Sequence, residues 1–468
     1  MIKKLAVLAL VIGAVLYFFF RPKEVDTRFS GAWRFPDGRI VGLSPTGEDD
    51  IWRVRDFSDG RVYSLYPDSE NTFTIRSGWS PEAPEEGSAF FEPSVTAPGA
   101  LIWRQGIGGT EGELRVERLP LLEKAAAFRS GDAELRGRLI LPDGPGPHPA
   151  VVMVHGSEKD AATVYSHEGW LLAPNGIAVL IFDKRGTGTS EGKFGMDFGQ
   201  LSDDVVAAVE WLRAQPEINA DRIGLAGYSQ GGWISPLAAS KTDAIKFVLV
   251  GYGMVDSPAE EDRKETLHLL RKKGFGEADL AEAEELITAG HEVIRQRFDG
   301  GWERVAELKA RFKNEHWVDA LDDGTAGSLM KYPAWAMRIV GPRMMPLGLD
   351  RYWFHDSRSI LEKLDIPMLW LIGGDDIEAP NEATIATIDQ LAARGKPFEM
   401  VVYPGADHGI LLFEEKNGER VYTRYDPEYF LKKVEWLRHQ AGLDGSAPTR
   451  RALPLELKPF PKPGAPRS

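Results

Sequence analysis

Arg222-Ile-Gly-Leu-Ala-Gly227-Tyr-Ser229-Gln-Gly231-Gly-Trp-Ile-Ser-Pro-Leu-Ala-Ala-Ser240 is the stretch that decides the fold. Its first six residues form a short apolar run that reads as a buried strand. The residues from Gly232 onward read as the start of a helix. Between them, Gly227-Tyr-Ser229-Gln-Gly231 puts a Gly-X-Ser-X-Gly pattern on a strand-to-helix turn, the setting of a nucleophile elbow. Such a turn strains its central residue, and the flanking glycines let strand and helix approach. A serine held there projects its hydroxyl above the carboxyl edge of a parallel sheet, where α/β proteins place their ligands.

The pattern alone is weak, because the chain has 49 glycines and carries a second copy, Gly188-Thr-Ser190-Glu-Gly192. That copy also follows an apolar run, Ala178 to Phe182, but Asp183-Lys-Arg-Gly-Thr intervenes and Phe194-Gly-Met-Asp-Phe-Gly199 reads as loop. Without a strand entering and a helix leaving, Ser190 lacks the geometry expected of Ser229.

Working outward, residues 123–252 and 351–443 hold apolar runs without alternation: Ala150 to Val154, Ile177 to Phe182, Ile223 to Ala226, Phe247 to Val250, Met368 to Ile372 and Phe398 to Val402. Such runs fit strands covered on both faces. Ala133 to Leu141 alternates instead, like an antiparallel strand. Amphipathic segments such as Asp203 to Arg213 fall between the runs, which implies an α/β fold. Residues 253–350 interrupt this rhythm with charged helical patterns over 260–273, 277–298 and 302–312, followed by Trp335, Met344-Met345 and Trp353-Phe354. This reads as a helical cap over the site. Its aromatic, Met-rich end is expected either to touch substrate or to pack the cap on the core.

Residues 25–122 read as a small all-β domain: short aromatic and β-branched runs separated by turns such as Pro36-Asp-Gly38 and Ser58-Asp-Gly60. Trp33, Trp52, Trp79 and Trp103 are expected to fill its core rather than line a ligand site. Residues 444–468 are Pro-rich and basic and are expected to be extended or disordered. At the other end, Lys3-Lys4 precede sixteen uncharged residues, Leu5 to Phe20, closed by Arg21-Pro-Lys23. The bulky Tyr17-Phe-Phe-Phe20 end is more like a membrane-interface belt than a signal-cleavage site, so residues 1–24 are expected to anchor an exported protein in a membrane, at the periplasmic or extracellular face, with a cleaved signal as the alternative.

At 468 residues the chain is long enough for two or three structural units. Its net charge of −14 argues against a nucleic-acid partner. The absence of cysteine excludes disulfides and thiolate catalysis.

A serine hydroxyl needs a base to take its proton and a third group to orient that base. Of His268, His291, His316, His355 and His408, only His408, in Tyr403-Pro-Gly-Ala-Asp-His408-Gly, follows a strand directly. The acid is expected after another strand, in Gly374-Asp375-Asp376-Ile-Glu378-Ala-Pro380. Spacing to Pro380 favours Asp376 over Asp375, and Asp407 is expected to point elsewhere. The oxyanion donors are expected to be the backbone N–H groups of Gln230, at the start of the following helix, and Ser157, in His155-Gly-Ser157. His155 is expected to be structural, hydrogen-bonded beneath that loop.

Together, Val151-Val-Met-Val-His-Gly-Ser157, Asp183-Lys-Arg-Gly-Thr-Gly-Thr-Ser190, Gly227 to Trp233, Asp376 to Pro380 and His408-Gly409 resemble the α/β-hydrolase superfamily. Within it they are similar to bacterial proteins of dienelactone-hydrolase-like or acylaminoacyl-peptidase-like type, over roughly residues 125–443. The resemblance implies a mostly parallel eight-stranded sheet. It also implies that Asp183 and Arg185 form an ion pair holding the loop after the fourth strand. Glu158-Lys159 stands where relatives often have glycine.

The expected function is that of a carboxylesterase-like serine hydrolase acting on small esters through Ser229, Asp376 and His408, with no metal or cofactor required. A peptidase or amidase of aminoacyl- or dipeptidyl-peptidase type is the alternative, since the same triad serves both. An acyltransferase would differ only in its acceptor. A non-catalytic protein binding through the β-domain would need a broken triad.

Overall fold

The computed structural model describes residues 25–48, 50–93, 99–105, 112–321, 324–345 and 348–443. The N-terminal part is a closed antiparallel barrel of β1 (Gly31–Arg34), β2 (Ile40–Pro45), β3 (Trp52–Asp56), β4 (Val62–Pro67), β5 (Thr72–Ser77), β6 (Glu85–Phe91), β7 (Ala100–Gln105) and β8 (Gly112–Arg118). Pairing of Trp33 with Arg118 joins the first strand to the last. Alternation sends Trp33, Leu43, Val54, Leu65, Ile75, Ala89, Trp103 and Val116 inward, and this dry interior holds the barrel together. Trp33, Trp52 and Trp103 fill the core as expected. Trp79 does not: it lies outside, edge-on to Tyr422 and Tyr425 at 6.4 and 5.8 Å. It follows the last residue of β5 by two positions, beyond the inward alternation.

The main sheet has eight strands: β9 (Leu122–Ser130), β10 (Ala133–Leu141), β11 (His148–Val154), β12 (Ala178–Phe182), β13 (Ile218–Tyr228), β14 (Ile245–Gly251), β15 (Met368–Gly373) and β16 (Phe398–Tyr403). Their order is β16-β15-β14-β13-β11-β12-β10-β9. β10 runs antiparallel to β9 and β12, and the strands from β12 to β16 are parallel. One reversed strand near the edge, and the exchange of β11 and β12, make this the α/β-hydrolase fold. The continuous apolar runs are buried on both faces, where two separate clusters of apolar side chains cover them.

The longer helices are α1 (Phe198–Arg213), α2 (Gly231–Ala239), α3 (Pro258–Lys272), α4 (Glu277–Arg295), α5 (Trp302–Phe312), α6 (Thr325–Lys331), α7 (Ala334–Met344), α8 (Glu382–Ala393) and α9 (Tyr429–Gln440). Helices α3 to α7 form the insertion between β14 and β15, with an apolar core of their own that includes Leu270, Leu286, Trp302, Phe312 and Trp317. Helix α3 begins earlier than its charge pattern suggests because the Ser257 hydroxyl caps the Glu260 N–H and Pro258 fits the first turn. Helix α4 stops at Arg295, short of the expected Phe298, because Arg297 and Phe298 both adopt positive φ. Of the aromatic end of the insertion, Tyr352 packs edge-on to Phe198 at 4.9 Å and so joins it to the core, whereas Trp335 is exposed.

A three-stranded sheet, β17 (Ala406–Asp407), β18 (Leu411–Lys416) and β19 (Glu419–Tyr425), is absent from the sequence reading. Its charged strands hide the alternation, yet Asn417-Gly418, both at positive φ, is a hairpin turn signal. This hairpin ties the barrel to the hydrolase core. The Tyr425 N–H donates to Gly60 O at 2.9 Å, and Arg424 donates to Asp59 O. A side chain at Gly60 would strike Tyr425 O.

No helix among the described residues is long and apolar enough to cross a membrane. This corrects the expectation of a membrane-anchored, exported protein. Residues 5–20, on which it rested, lie outside the described residues, as does the 444–468 tail.

Candidate active site

Ser229 follows β13 directly and precedes α2, with φ of 51°. A non-glycine residue pays steric strain there, and the surroundings hold it in place. Its N–H donates to Gly251 O at 3.0 Å and its carbonyl accepts from Gly232 N–H at 2.8 Å. The flanking glycines are required by contact. A Cβ on Gly227 would lie 2.2 Å from Ser235 Oγ, and one on Gly231 would lie 2.5 Å from Val154 O.

His408 Nε2 lies 3.1 Å from Ser229 Oγ, and His408 Nδ1 lies 2.9 Å from Asp376 Oδ2. The three expected side chains therefore meet, each delivered from the carboxyl end of a parallel strand. Asp376 is nearly buried, and its Oδ1 accepts from the N–H groups of Glu378 at 3.0 Å and Ala379 at 2.8 Å. Burial lowers the pKa of His408, but the hydrogen bond and charge of Asp376 outweigh this and leave it raised. Tyr252, itself at a positive φ of 42°, packs edge-on to the imidazole at 4.8 Å.

The alternatives fall away by position. Asp375 is exposed, and His268 is exposed on α3. His291 faces Asp262 at 3.4 Å, and His355 is pushed down to about 4 by burial beside Phe198. His439 is exposed near the end of α9. Asp407 points away from the imidazole and does something the sequence did not suggest. Its Oδ1 accepts the N–H groups of His408 at 2.8 Å and Ile377 at 3.2 Å, so one carboxylate holds the backbone of both the histidine and the acid loops. Arg420 at 2.6 Å and Tyr422 at 2.9 Å, both from β19, hold its other oxygen.

The Ser157 and Gln230 N–H groups engage no acceptor among the described residues. A Cβ on Gly156 would lie 3.4 Å from Ser229 Cβ, so the loop before Ser157 abuts the nucleophile. His155 is buried, edge-on to Phe182, and neither ring nitrogen has a hydrogen-bond partner. The expected hydrogen bond beneath the loop is therefore not made among the described residues. Burial first, and the Lys184 charge second, hold this imidazole well below its usual range.

The implied Asp183–Arg185 ion pair is also corrected. Asp183 accepts from Thr163 N–H and Oγ1 at 3.0 and 2.8 Å and from Thr189 N–H at 3.0 Å. Arg185 instead makes a two-pronged pair with the buried Asp204 on α1, at 2.8 and 2.6 Å. The Thr163 and Thr189 donors take both carboxylate oxygens of Asp183, and the Arg185 guanidinium is drawn to Asp204 instead.

Three further carboxylates lie near these side chains. Glu378 Oε2 lies 3.8 Å from His408 Nε2, and Glu158 Oε1 accepts the Gly156 N–H at 3.1 Å. Glu261, on α3, interacts with the charges of His408 and Asp376; burial, then Glu265, pushes its carboxyl up to about 8. Among the described residues, no group of three or more His, Cys, Asp or Glu is placed to hold a metal ion.

Residues 130–409 match the family model described as X-Pro dipeptidyl-peptidase (S15 family), which spans more than half the chain. A thiohydrolase of Aspergillus aculeatus is 34% identical over 131 residues, 28% of this chain and 41% of that protein. The esterase EstD of Thermotoga maritima is 22% identical over 303 residues, 62% of this chain and 61% of that protein. The chain thus spans about half the length of these curated relatives. The acylaminoacyl peptidase of Pyrococcus horikoshii aligns with 84% of this chain and 55% of that structure, at 17% identity and a TM-score of 0.42.

Proposed function

From the premise that this chain belongs to the X-Pro dipeptidyl-peptidase (S15) family, we propose that it is a serine hydrolase that cleaves small carboxylic esters through an acyl-enzyme on Ser229. The observation that carries this reading is the continuous relay Ser229 Oγ, His408 Nε2, His408 Nδ1, Asp376 Oδ2, with contacts of 3.1 and 2.9 Å. Ser229 Oγ attacks the acyl carbon as its proton passes to His408 Nε2. The carbonyl π electrons move onto oxygen, and the N–H groups of Ser157 and Gln230 stabilise that charge. When the C–O bond breaks, the leaving alkoxide takes the proton from His408. Water then repeats the sequence on the acyl-enzyme and releases the acid. Asp376 stays ionised, fixing the imidazole tautomer and stabilising the imidazolium.

A second reading, cleavage of an amide next to a free amine, is favoured by the three carboxylates Glu158, Glu261 and Glu378 around the triad and by the family's description. The same triad serves both readings, and the leaving group decides between them.

The test uses a serine-reactive fluorophosphonate, then short-chain p-nitrophenyl esters against aminoacyl- and X-Pro-p-nitroanilides. Labelling of the wild type that disappears in Ser229→Ala, with ester turnover exceeding anilide turnover, is the expected result. Turnover of anilides alone would favour the second reading. A folded wild type that does not label would overturn both.

A further inference from the structure

Strands β11 and β12 are parallel neighbours, so the loops that leave their carboxyl ends lie side by side. The β11 loop carries His155-Gly-Ser157-Glu158 and the β12 loop carries Asp183-Lys184-Arg185. Lys184 is one of the largest fully enclosed side chains of the described residues, at 2% exposure. An ammonium is costly to bury unless its donors are satisfied. Here they reach Gly156 O at 2.5 Å and Glu158 O at 2.9 Å, two backbone carbonyls of the neighbouring loop. Among the described residues, no carboxylate is hydrogen-bonded to it. A lysine kept only for stability would be expected to pair with an acid or reach solvent, as Lys433 pairs with Glu168 at 2.9 Å elsewhere in this core.

The carbonyl of Gly156 and the N–H of Ser157 belong to one peptide unit. In a trans peptide they point in opposite directions across a rigid plane. Fixing the carbonyl on Lys184 therefore fixes the Ser157 N–H on the far side, and that N–H engages no acceptor among the described residues. A cation on the carbonyl also polarises the peptide and strengthens its N–H as a donor. A second feature needs compensation. Glu158 folds back onto the Gly156 N–H, and a Cβ on Gly156 would lie 2.6 Å from Glu158 Oε2 and 3.4 Å from Ser229 Cβ. A carboxylate so close to the nucleophile opposes the build-up of negative charge on the substrate oxygen, and the Lys184 ammonium offsets it.

We infer that Lys184 is a positioning residue of the reaction, setting and polarising the Ser157 N–H as an oxyanion donor through the Gly156 carbonyl. This role rests on the serine-hydrolase reading and adds to it a group outside the triad.

Burial pulls Lys184 down to about 8, against an upward pull from Glu158. The other charged groups around it are accounted for. His155, from the β11 loop, is held well below its usual range by burial; Lys159 shares the Phe194 ring with Lys184, each about 5.3 Å from its centre. Asp183 is occupied by Thr163 and Thr189, and Arg185 by Asp204. The charged form of Lys184 is present below its pKa, so the oxyanion donor weakens as pH rises through about 8. Activity should then show an alkaline limb there, separate from the acid limb set by His408.

The experiment measures kcat and KM on a p-nitrophenyl ester across pH for the full chain and for Lys184→Met and Lys184→Arg, with fluorophosphonate labelling of each. Lys184→Met should lower kcat by roughly 10- to 100-fold, at or below the cost of one oxyanion donor. Its KM should change little, and its alkaline limb should disappear. Lys184→Arg keeps a cation at every accessible pH, so it should recover part of kcat and also lose the limb. The wild-type profile needs no variant to fold, and an active enzyme without an alkaline limb near pH 8 overturns the role. So does a Lys184→Met protein with unchanged kcat and limb. Labelled, active wild type in those cases leaves the hydrolase reading standing. A wild type that neither labels nor turns over removes that reading and this role with it.

Discussion

The chain holds two Gly-X-Ser-X-Gly segments, and they differ in everything except the pattern. Ser229 sits at a positive φ of 51° between β13 and α2, with its hydroxyl open to His408. Ser190 is buried, donates to Asp183 O at 2.7 Å and accepts from Arg136 N–H at 2.9 Å. One hydroxyl is presented to a base and the other is used up by backbone. What separates them is the element on either side. A strand that ends just before the serine and a helix that begins two residues after it leave the hydroxyl at the sheet's edge. A loop that folds back on β10 buries it.

The sharpest way to break the comparison is to remove the first hydroxyl. Ser229→Ala should lower kcat by about 10⁴- to 10⁶-fold, because triad members act as a unit. KM for residual turnover should move far less, since the hydroxyl contributes to the transition state rather than to ground-state binding. Single-turnover kinetics on an activated ester measure this. A variant keeping more than a hundredth of wild-type kcat would mean that another group attacks, and Ser190 would be the first to test.

The second effect concerns the base that makes the two serines unequal. The raised pKa of His408 owes most of its upward shift to Asp376, which favours the imidazolium. The neutral form is the one that accepts the serine proton, so activity should fall as pH drops through a midpoint above 6.5. Asp376→Asn removes the charge, so the same midpoint should move down, with kcat reduced by about 10³- to 10⁴-fold. The pH dependence of kcat/KM in both proteins checks the sign. An upward shift in the variant would mean that Glu378, 3.8 Å from Nε2, or Glu261 governs the imidazole instead.

The meeting of Ser229, His408 and Asp376 was legible because each follows an apolar run that reads as a buried strand, and backbone direction then decides where its side chain goes. The same logic proposes Ser157 and Gln230 as oxyanion donors, and both N–H groups are without a partner among the described residues. What the sequence did not disclose are partnerships between loops distant along the chain. Asp183 and Arg185 look like a local pair, yet each finds its partner on another element. Asp407 looks redundant beside His408, yet it joins two loops through backbone hydrogen bonds. Lys184 looks like a loop cation, yet it is enclosed and turned onto carbonyls of the β11 loop. Trp79 looks like one more core aromatic, yet it seals the seam between the barrel and the hairpin of β18 and β19. Residue type and periodicity specify which face a side chain leaves from, and long-range register specifies what it meets.

The smallest expected effect is the control on the second serine. If Ser190 is a structural hydroxyl, Ser190→Ala should leave kcat/KM on p-nitrophenyl esters within about threefold, because its hydroxyl is bonded to β10 and to Asp183 O rather than to His408. The cost should appear in stability. Removing the hydroxyl leaves the part-buried Arg136 N–H without its acceptor and takes a donor from the buried Asp183 O, which costs roughly 1–3 kcal/mol. Urea unfolding should therefore show a lower midpoint with an unchanged slope. Ser190→Thr keeps the hydroxyl but adds a methyl to a closely packed site, so it should lower the midpoint while keeping the hydrogen bonds. If Ser190→Ala lost activity in proportion to Ser229→Ala while its unfolding midpoint held, the pattern would have two working copies. Flanking elements would then not be what distinguishes a nucleophile from a structural serine.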